Sequence, residues 1–243
     1  MILYPAIDIR GGRCVRLIEG DFDRETTYDS DPATAARRWV EAGAEWLHVV
    51  DLDGAVEGRP VNREAVGRIR ASVDVSIQLG GGLRRLSDLE ETFDAGVDRV
   101  ILGTVALRDP ELVSSAVARW GDRIAVALDA RDGRLATDGW LGQTDSRAVK
   151  VALRLAESHV RNFIYTDIRR DGTLSGPNLQ ALGELIEKVD ANIIASGGIG
   201  SLEDIKAVAG AGASGAIIGR ALYDGRVDLA EAAALFQRTE ASC

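Results

Sequence analysis

Short apolar runs alternate with longer amphipathic stretches along the whole chain. The runs are Leu3–Ile7, Trp46–Val50, Val75–Leu79, Arg99–Leu102, Ile124–Leu128, Phe163–Thr166, Asn192–Ala195 and Ala216–Ile218. Most are too apolar to have one wet face, which is what a parallel strand buried on both sides requires. The stretches between them carry helix punctuation. Asp31-Pro32 and Asp109-Pro110 pair an N-cap with a proline at the first helical position, and Ser87 with Glu90 reads as a capping box. Gly43, Gly96 and Gly212 stand where helices should stop before the next strand. No linker or low-complexity tract interrupts the alternation, so one domain over residues 1–243 is expected.

An internal repeat organises the pattern. A shift of 116 carries Gly81, Gly82, Leu86, Asp88, Ala95, Gly96, Ile101 and Gly103 onto Gly197, Gly198, Leu202, Asp204, Ala211, Gly212, Ile217 and Gly219. The same shift puts Asp51 on Asp167. With small gaps, Asp53-Gly54…Gly58-x-Pro60-x-Asn62 echoes Asp171-Gly172…Gly176-Pro177-Asn178. Turn geometry accounts for any one glycine. It does not account for two strand-ending Gly-Gly pairs, each followed by a glycine 21 residues later. The fold class expected is α/β: a single (β/α)8 TIM barrel built from two half-barrels, about 1–120 and 121–243.

Composition narrows the chemistry. A net charge of −9 and a pI near 4.9 argue against nucleic acid or an anionic membrane as the main partner. The N-terminus has no basic segment ahead of an apolar run, and no stretch is long enough to span a bilayer. Cys14 and Cys243 give no disulfide framework and read as free thiols of a cytoplasmic protein. The three lysines, Lys150, Lys188 and Lys206, fall in helix-like segments away from strand ends, which disfavours Schiff-base chemistry. The two histidines, His48 and His159, lack metal-ligand spacing, so no metal is expected. Acid–base work then falls to carboxylates.

Asp8 and Asp129 each end an apolar strand, one in each half. Facing each other across a barrel mouth, they could act as base and acid on opposite faces of one substrate, and partial burial would raise one pKa toward neutrality. Two phosphate grips are expected from glycine-rich turns, where backbone N–H groups approach an anion closely. One combines Gly81, Gly82, Gly103 and Thr104; the other combines Gly176, Gly197, Gly198, Gly219 and Arg220. Thr166 and Asp171 position substrate or simply cap a loop. Trp140 stacks on a planar ring or anchors its loop. Arg16 brings positive charge from the first loop, Asp51 and Asp167 hold loops, and His48 reads as a hydrogen-bonded core or supporting group.

The segments PAIDIRGGRCVRL, HVVDLDGA, QLGGGLR, ALDARDGRLATDGW, YTDIRRDGTLSGPN, ASGGIGSLED and GAIIGRALYDG resemble the phosphoribosylformimino aminoimidazole carboxamide ribotide isomerases of histidine biosynthesis. The match runs from Met1 to about Gly225. It implies an Amadori rearrangement of an aminoaldose to an aminoketose without a metal or organic cofactor, on a small bisphosphorylated substrate. By the same resemblance the proton acceptor maps onto Asp8, the proton donor onto Asp129, and the threonine and aspartate of the TDI…DGT segment onto Thr166 and Asp171. A monomer is expected. Three other readings stand beside it. The sister cyclase shares the two-grip barrel but usually begins with a CLDV-type strand and lacks the Asp-Gly-Trp loop. A bifunctional isomerase also acts on phosphoribosyl anthranilate; Gly80-Gly81-Gly82-Leu83-Arg84 and Arg170-Asp171-Gly172 favour the single-substrate enzyme over it. A non-enzymatic phosphosugar-binding protein would have little use for both aspartates.

Overall fold

A computed structural model describes residues 1–137, 139–140 and 142–237; Cys243 lies outside the described residues. Among the described residues, twelve strands run in chain order: β1 Ile2–Arg10, β2 Arg13–Ile18, β3 Asp21–Asp29, β4 Trp46–Asp51, β5 Ser76–Gly80, β6 Arg99–Leu102, β7 Ile124–Arg131, β8 Arg134–Thr137, β9 Gly142–Arg147, β10 Asn162–Asp167, β11 Asn192–Ser196 and β12 Gly215–Ile218. Eight of them, β1, β4, β5, β6, β7, β10, β11 and β12, pair in parallel in that order. The β12–β1 and β7–β10 ladders close the ring. Each contains or overlaps one of the eight apolar runs. The chain therefore forms a closed (β/α)8 barrel.

The barrel interior is filled by Tyr4, Ala6, Ile101, Ala125, Ile164, Ile194 and Ile217. A larger apolar layer, which includes Ile7, Leu47, Ile77, Leu102, Leu128 and Phe163, lies between the strands and the surrounding helices. This two-sided burial is the reason the barrel strands read as continuous apolar runs. The helices are α1 Pro32–Glu41, α2 Leu52–Glu57, α3 Arg63–Ser72, α4 Leu86–Asp94, α5 Val105–Arg108, α6 Pro110–Trp120, α7 Ala148–Glu157, α8 Leu179–Lys188, α9 Leu202–Gly210, α10 Arg220–Tyr223 and α11 Leu229–Gln237. Asp31 caps α1 by accepting from Ala33 N, and Asp109 caps α6 by accepting from Leu112 N. Gly43, Gly96 and Gly212 each follow a helix with φ near +90°, a left-handed geometry that glycine adopts without strain. Lys150, Lys188 and Lys206 lie in α7, α8 and α9. Cys14 is a buried free thiol.

Two expectations do not hold. Ser87 does not cap α4. The helix starts two residues earlier than that cap implies, at Leu86, and the buried Asp88 accepts from the N–H groups of Arg84 and Arg85. Nor do Asp8 and Asp129 end their strands. β1 and β7 continue past the barrel rim and fold back as antiparallel ribbons, β1–β2–β3 and β7–β8–β9. The outer ribbon strands are polar, as in DFDRETTYD, so no apolar run announces them. Their signal is another repeat. A shift of 121 carries Asp8, Arg10, Gly12 and Arg13 onto Asp129, Arg131, Gly133 and Arg134.

Candidate active site

A cavity of about 210 Å³ opens at the C-terminal mouth of the barrel. The first half lines it with Asp8, Arg16, His48 and the turns containing Gly81, Gly82, Gly103 and Thr104. The second half adds Asp129, Thr137, Trp140, Thr166, Asp171 and Ser196. A smaller recess adjoins it and shares Arg16, Asp171, Ser196 and Ile217; Gly197, Gly198, Gly219 and Arg220 complete it. The glycine turns of the two halves therefore border two adjoining cavities that share a wall. Gly176 stands outside both. Its N–H donates to Gly198 O, and its carbonyl accepts from Arg170 Nη1 at 2.9 Å, so it braces the turn.

The glycine pairs are tightly packed. A Cβ on Gly81 would strike Asp51 O, and one on Gly197 would come to 2.7 Å from Asp167 O. A Cβ on Gly82 would meet Gly54 O at 2.6 Å, and one on Gly198 would strike Gly176 O. Side chains at Gly82 or Gly198 would therefore displace the neighbouring loop before they reached an anion. Gly103 differs: it lines the cavity, and a Cβ there meets nothing within 4 Å. The short helices α5 and α10 start beside Thr104 and Gly219, and Gly219 follows the last barrel strand, where barrels commonly hold phosphate.

The loops behind the glycines are held alike in both halves. Asp51 accepts from the N–H groups of Gly54, Val61 and Asn62 and from Asn62 Nδ2. Asp167 accepts from Arg169 N and Asn178 Nδ2. Both aspartates hold loops, as expected.

The two mouth aspartates share a scaffold but not a set of partners. Asp8 pairs with Val50 of β4 on one side and Val15 of β2 on the other. Arg16 Nη1 lies 2.8 Å from Asp8 Oδ2, and both side chains are largely buried. Burial raises the Asp8 pKa, and the guanidinium opposes that rise. Asp129 pairs with Thr166 of β10. Its carboxyl is also raised by burial, opposed by hydrogen bonds from Trp140 and Thr166. Burial pushes Asp171 up to about 6; Arg16 opposes the rise, and the charges of Asp8 and Asp129 add to it. Trp140 packs against Gly20 at the turn between β2 and β3, with its own φ at +72°. It is thus a loop anchor that also touches the site. Among the described residues, no group of three or more His, Cys, Asp and Glu is placed to hold a metal ion.

Fold and site together define a (β/α)8-barrel enzyme with its ionisable side chains gathered at the C-terminal mouth. Residues 2–228 match the family described as "Histidine biosynthesis protein". A relative from Caulobacter vibrioides is 50% identical over 235 residues, covering 96% of this chain and 98% of its own. One from Rhodospirillum rubrum is 51% identical over 238 residues, covering 97% and 99%. One from Rhodopseudomonas palustris is 49% identical over 245 residues and covers both chains fully. All three carry the name 1-(5-phosphoribosyl)-5-((5-phosphoribosylamino)methylideneamino) imidazole-4-carboxamide isomerase. The chain belongs to the histidine biosynthesis protein family.

Proposed function

We propose that this chain is the histidine-biosynthesis isomerase that its relatives are named for, with Asp8 as general base and Asp129 as general acid. It converts an aminoaldose, carried on a phosphoribosyl group, to the aminoketose. One observation carries the assignment of roles: equivalent aspartates of the two half-barrels face one cavity with different partners. Asp8 has the Arg16 cation at 2.8 Å, which favours its ionised, proton-accepting form. At Asp129 burial outweighs the two neutral donors, Trp140 and Thr166, and favours the protonated form an acid needs.

The reaction then runs in three steps. Asp129 gives its proton to the ring oxygen, and the C1 nitrogen lone pair forms an iminium as the C1–O bond breaks. Asp8 removes the proton from C2, and the electron pair of that bond neutralises the iminium to give an enaminol. The enol loses its hydroxyl proton as C1 gains one, leaving the ketose. Thr166 and Asp171 hold the sugar between the two carboxyl groups. Gly81, Gly82, Gly103 and Thr104 take one phosphate, and Gly197, Gly198, Gly219 and Arg220 take the other, through N–H groups favoured near helix starts. Arg16 borders the second recess and adds positive charge there. All of these groups come from one chain, which supports a working monomer. A substrate with two phosphates does not cross a bilayer unaided, so this reading places the enzyme in the cytoplasm. Among the described residues, no helix is long and apolar enough to cross a membrane.

Turnover of the purified chain on the aminoaldose, and on phosphoribosyl anthranilate in parallel, tests the reading. Conversion of the first alone supports the single-substrate isomerase. Conversion of both would establish the bifunctional enzyme, and conversion of neither would leave the cyclase and the phosphosugar-binding protein.

A further inference from the structure

The lower wall of the cavity carries a feature that the mechanism above does not use. His48 on β4, Gln78 on β5 and Arg99 on β6 pair with one another across adjacent strands at one level of the barrel. Gln78 is fully buried. Arg99 Nη1 donates to Gln78 Oε1 at 3.3 Å and to Tyr4 Oη at 3.2 Å, and its guanidinium lies over Trp46 at 4.5 Å. Gln78 Nε2 lies 3.0 Å from His48 Nδ1.

The donor and acceptor inventory orders this row. A guanidinium only donates, so the Gln78 atom beside it is the carbonyl oxygen. The amide NH2 therefore faces His48 and donates, so Nδ1 accepts and carries no proton. In a neutral imidazole the proton is then on Nε2. His48 borders the cavity, while Gln78 does not. His48 also sits one interior level below Asp8, since it pairs with Ala6 of β1. Burial, and the positive charge of Arg16, push its pKa down to about 3, so the ring stays neutral. The row is not needed to close a barrel. In the second half the shift of 116 carries its positions onto Ile164, Ile194 and Gly215, which are apolar or lack a side chain.

We infer that the Arg99–Gln78 pair fixes His48 as its neutral Nε2–H tautomer, making it a hydrogen-bond donor to a substrate sugar oxygen on the floor of the cavity beside Asp8. His48 then contacts substrate, and Gln78 and Arg99 are positioning residues. The donor role rests on the isomerase reading; the tautomer does not.

Nitrogen-15 NMR of the full chain, labelled at its two histidines, tests the tautomer without any turnover. A His159→Gln variant assigns the resonances. His48 should show a protonated Nε2 and a bare Nδ1, unchanged from about pH 5 to 9, a range that spans an ordinary histidine's titration. In Gln78→Glu the new carboxylate can only accept from the ring, so Nδ1 should become protonated. A wild-type His48 that carries its proton on Nδ1, or that titrates near the ordinary value of about 6.5, overturns the inference. The role is tested by kinetics on the aminoaldose. His48→Leu and Gln78→Leu should each lower kcat/KM about tenfold, the scale of one hydrogen bond. In the His48→Leu background, Gln78→Leu should cost nothing further. Independent, multiplying losses would show that Gln78 does not act through His48. Should the Gln78 variants fail to fold, the wild-type spectrum alone still decides the tautomer.

Discussion

The two halves of the barrel place the same kind of carboxyl at the same kind of position, and they differ in what surrounds it. The shift of 121 that carries Asp8 onto Asp129 carries Arg16 onto Thr137, and both of these line the cavity. The shift of 116 carries Val50, beside Asp8, onto Thr166, beside Asp129. One aspartate therefore has a cation and an apolar neighbour, and the other has hydroxyl and indole donors. A duplicated scaffold sets two carboxyl groups across one cavity. Burial raises the pKa of both, opposed at Asp8 by a cation and at Asp129 by two neutral donors, and a paired acid and base require proton affinities that differ.

Removing each carboxylate in turn probes this contrast most severely. Asp8→Asn and Asp129→Asn should each lower turnover by roughly 10²–10⁴-fold while leaving the fold intact, the range for loss of a general acid or base. Steady-state kinetics alongside circular dichroism checks this. Turnover close to wild type in a well-folded variant would remove that residue from the mechanism.

Arg16→Met addresses the asymmetry itself. Arg16 opposes the rise in the Asp8 pKa that burial causes, so its loss should lift that pKa further. A base must be ionised to act, so the acid limb of the kcat/KM profile should move to higher pH. Activity at neutral pH should fall roughly ten- to a hundredfold, the range for loss of a charge-assisted hydrogen bond. An acid limb that stays in place would mean that Arg16 does not set the state of Asp8.

A third contrast separates the grip from its packing. Gly103→Val adds a side chain where the structure is open, so it should weaken substrate binding about tenfold, on the order of one hydrogen bond to a phosphate. Its unfolding midpoint should stay near wild type. Gly82→Val forces a side chain into Gly54 O at a φ of +74° and should instead lower stability. Equal loss of stability in both variants would contradict the difference between the two sites.

The loop braces differ more subtly. Asn62 donates to Asp51 and Asp53 and accepts from Gly12 N. Asn178 donates to Asp167 and accepts from Ala181 N. Asn62→Ala should cost about 1–3 kcal/mol of unfolding free energy and Asn178→Ala about 1 kcal/mol. Urea unfolding of the two variants measures the difference, and equal costs would show that the extra partner of Asn62 contributes nothing.

The eight barrel strands were readable from the chain alone, because a parallel strand buried on both faces must be apolar throughout. So was the half-barrel repeat, since Gly81, Gly82, Gly197 and Gly198 recur where a Cβ would strike a loop carbonyl. Asp8, Asp129 and the glycine turns at the mouth were legible for a related reason: they interrupt or follow those runs. What surrounds them emerged only on folding. β2 and β8 bring Arg16 to the mouth and place Thr137 at its counterpart, and no apolar run announces the polar outer strands they pair with. Partners such as Arg16 and Asp8, or Thr166 and Asp129, meet only when separate strands pair in register. Proton affinity depends on burial and on charges a few ångströms away. Those are properties of the closed barrel, and of no single segment of it.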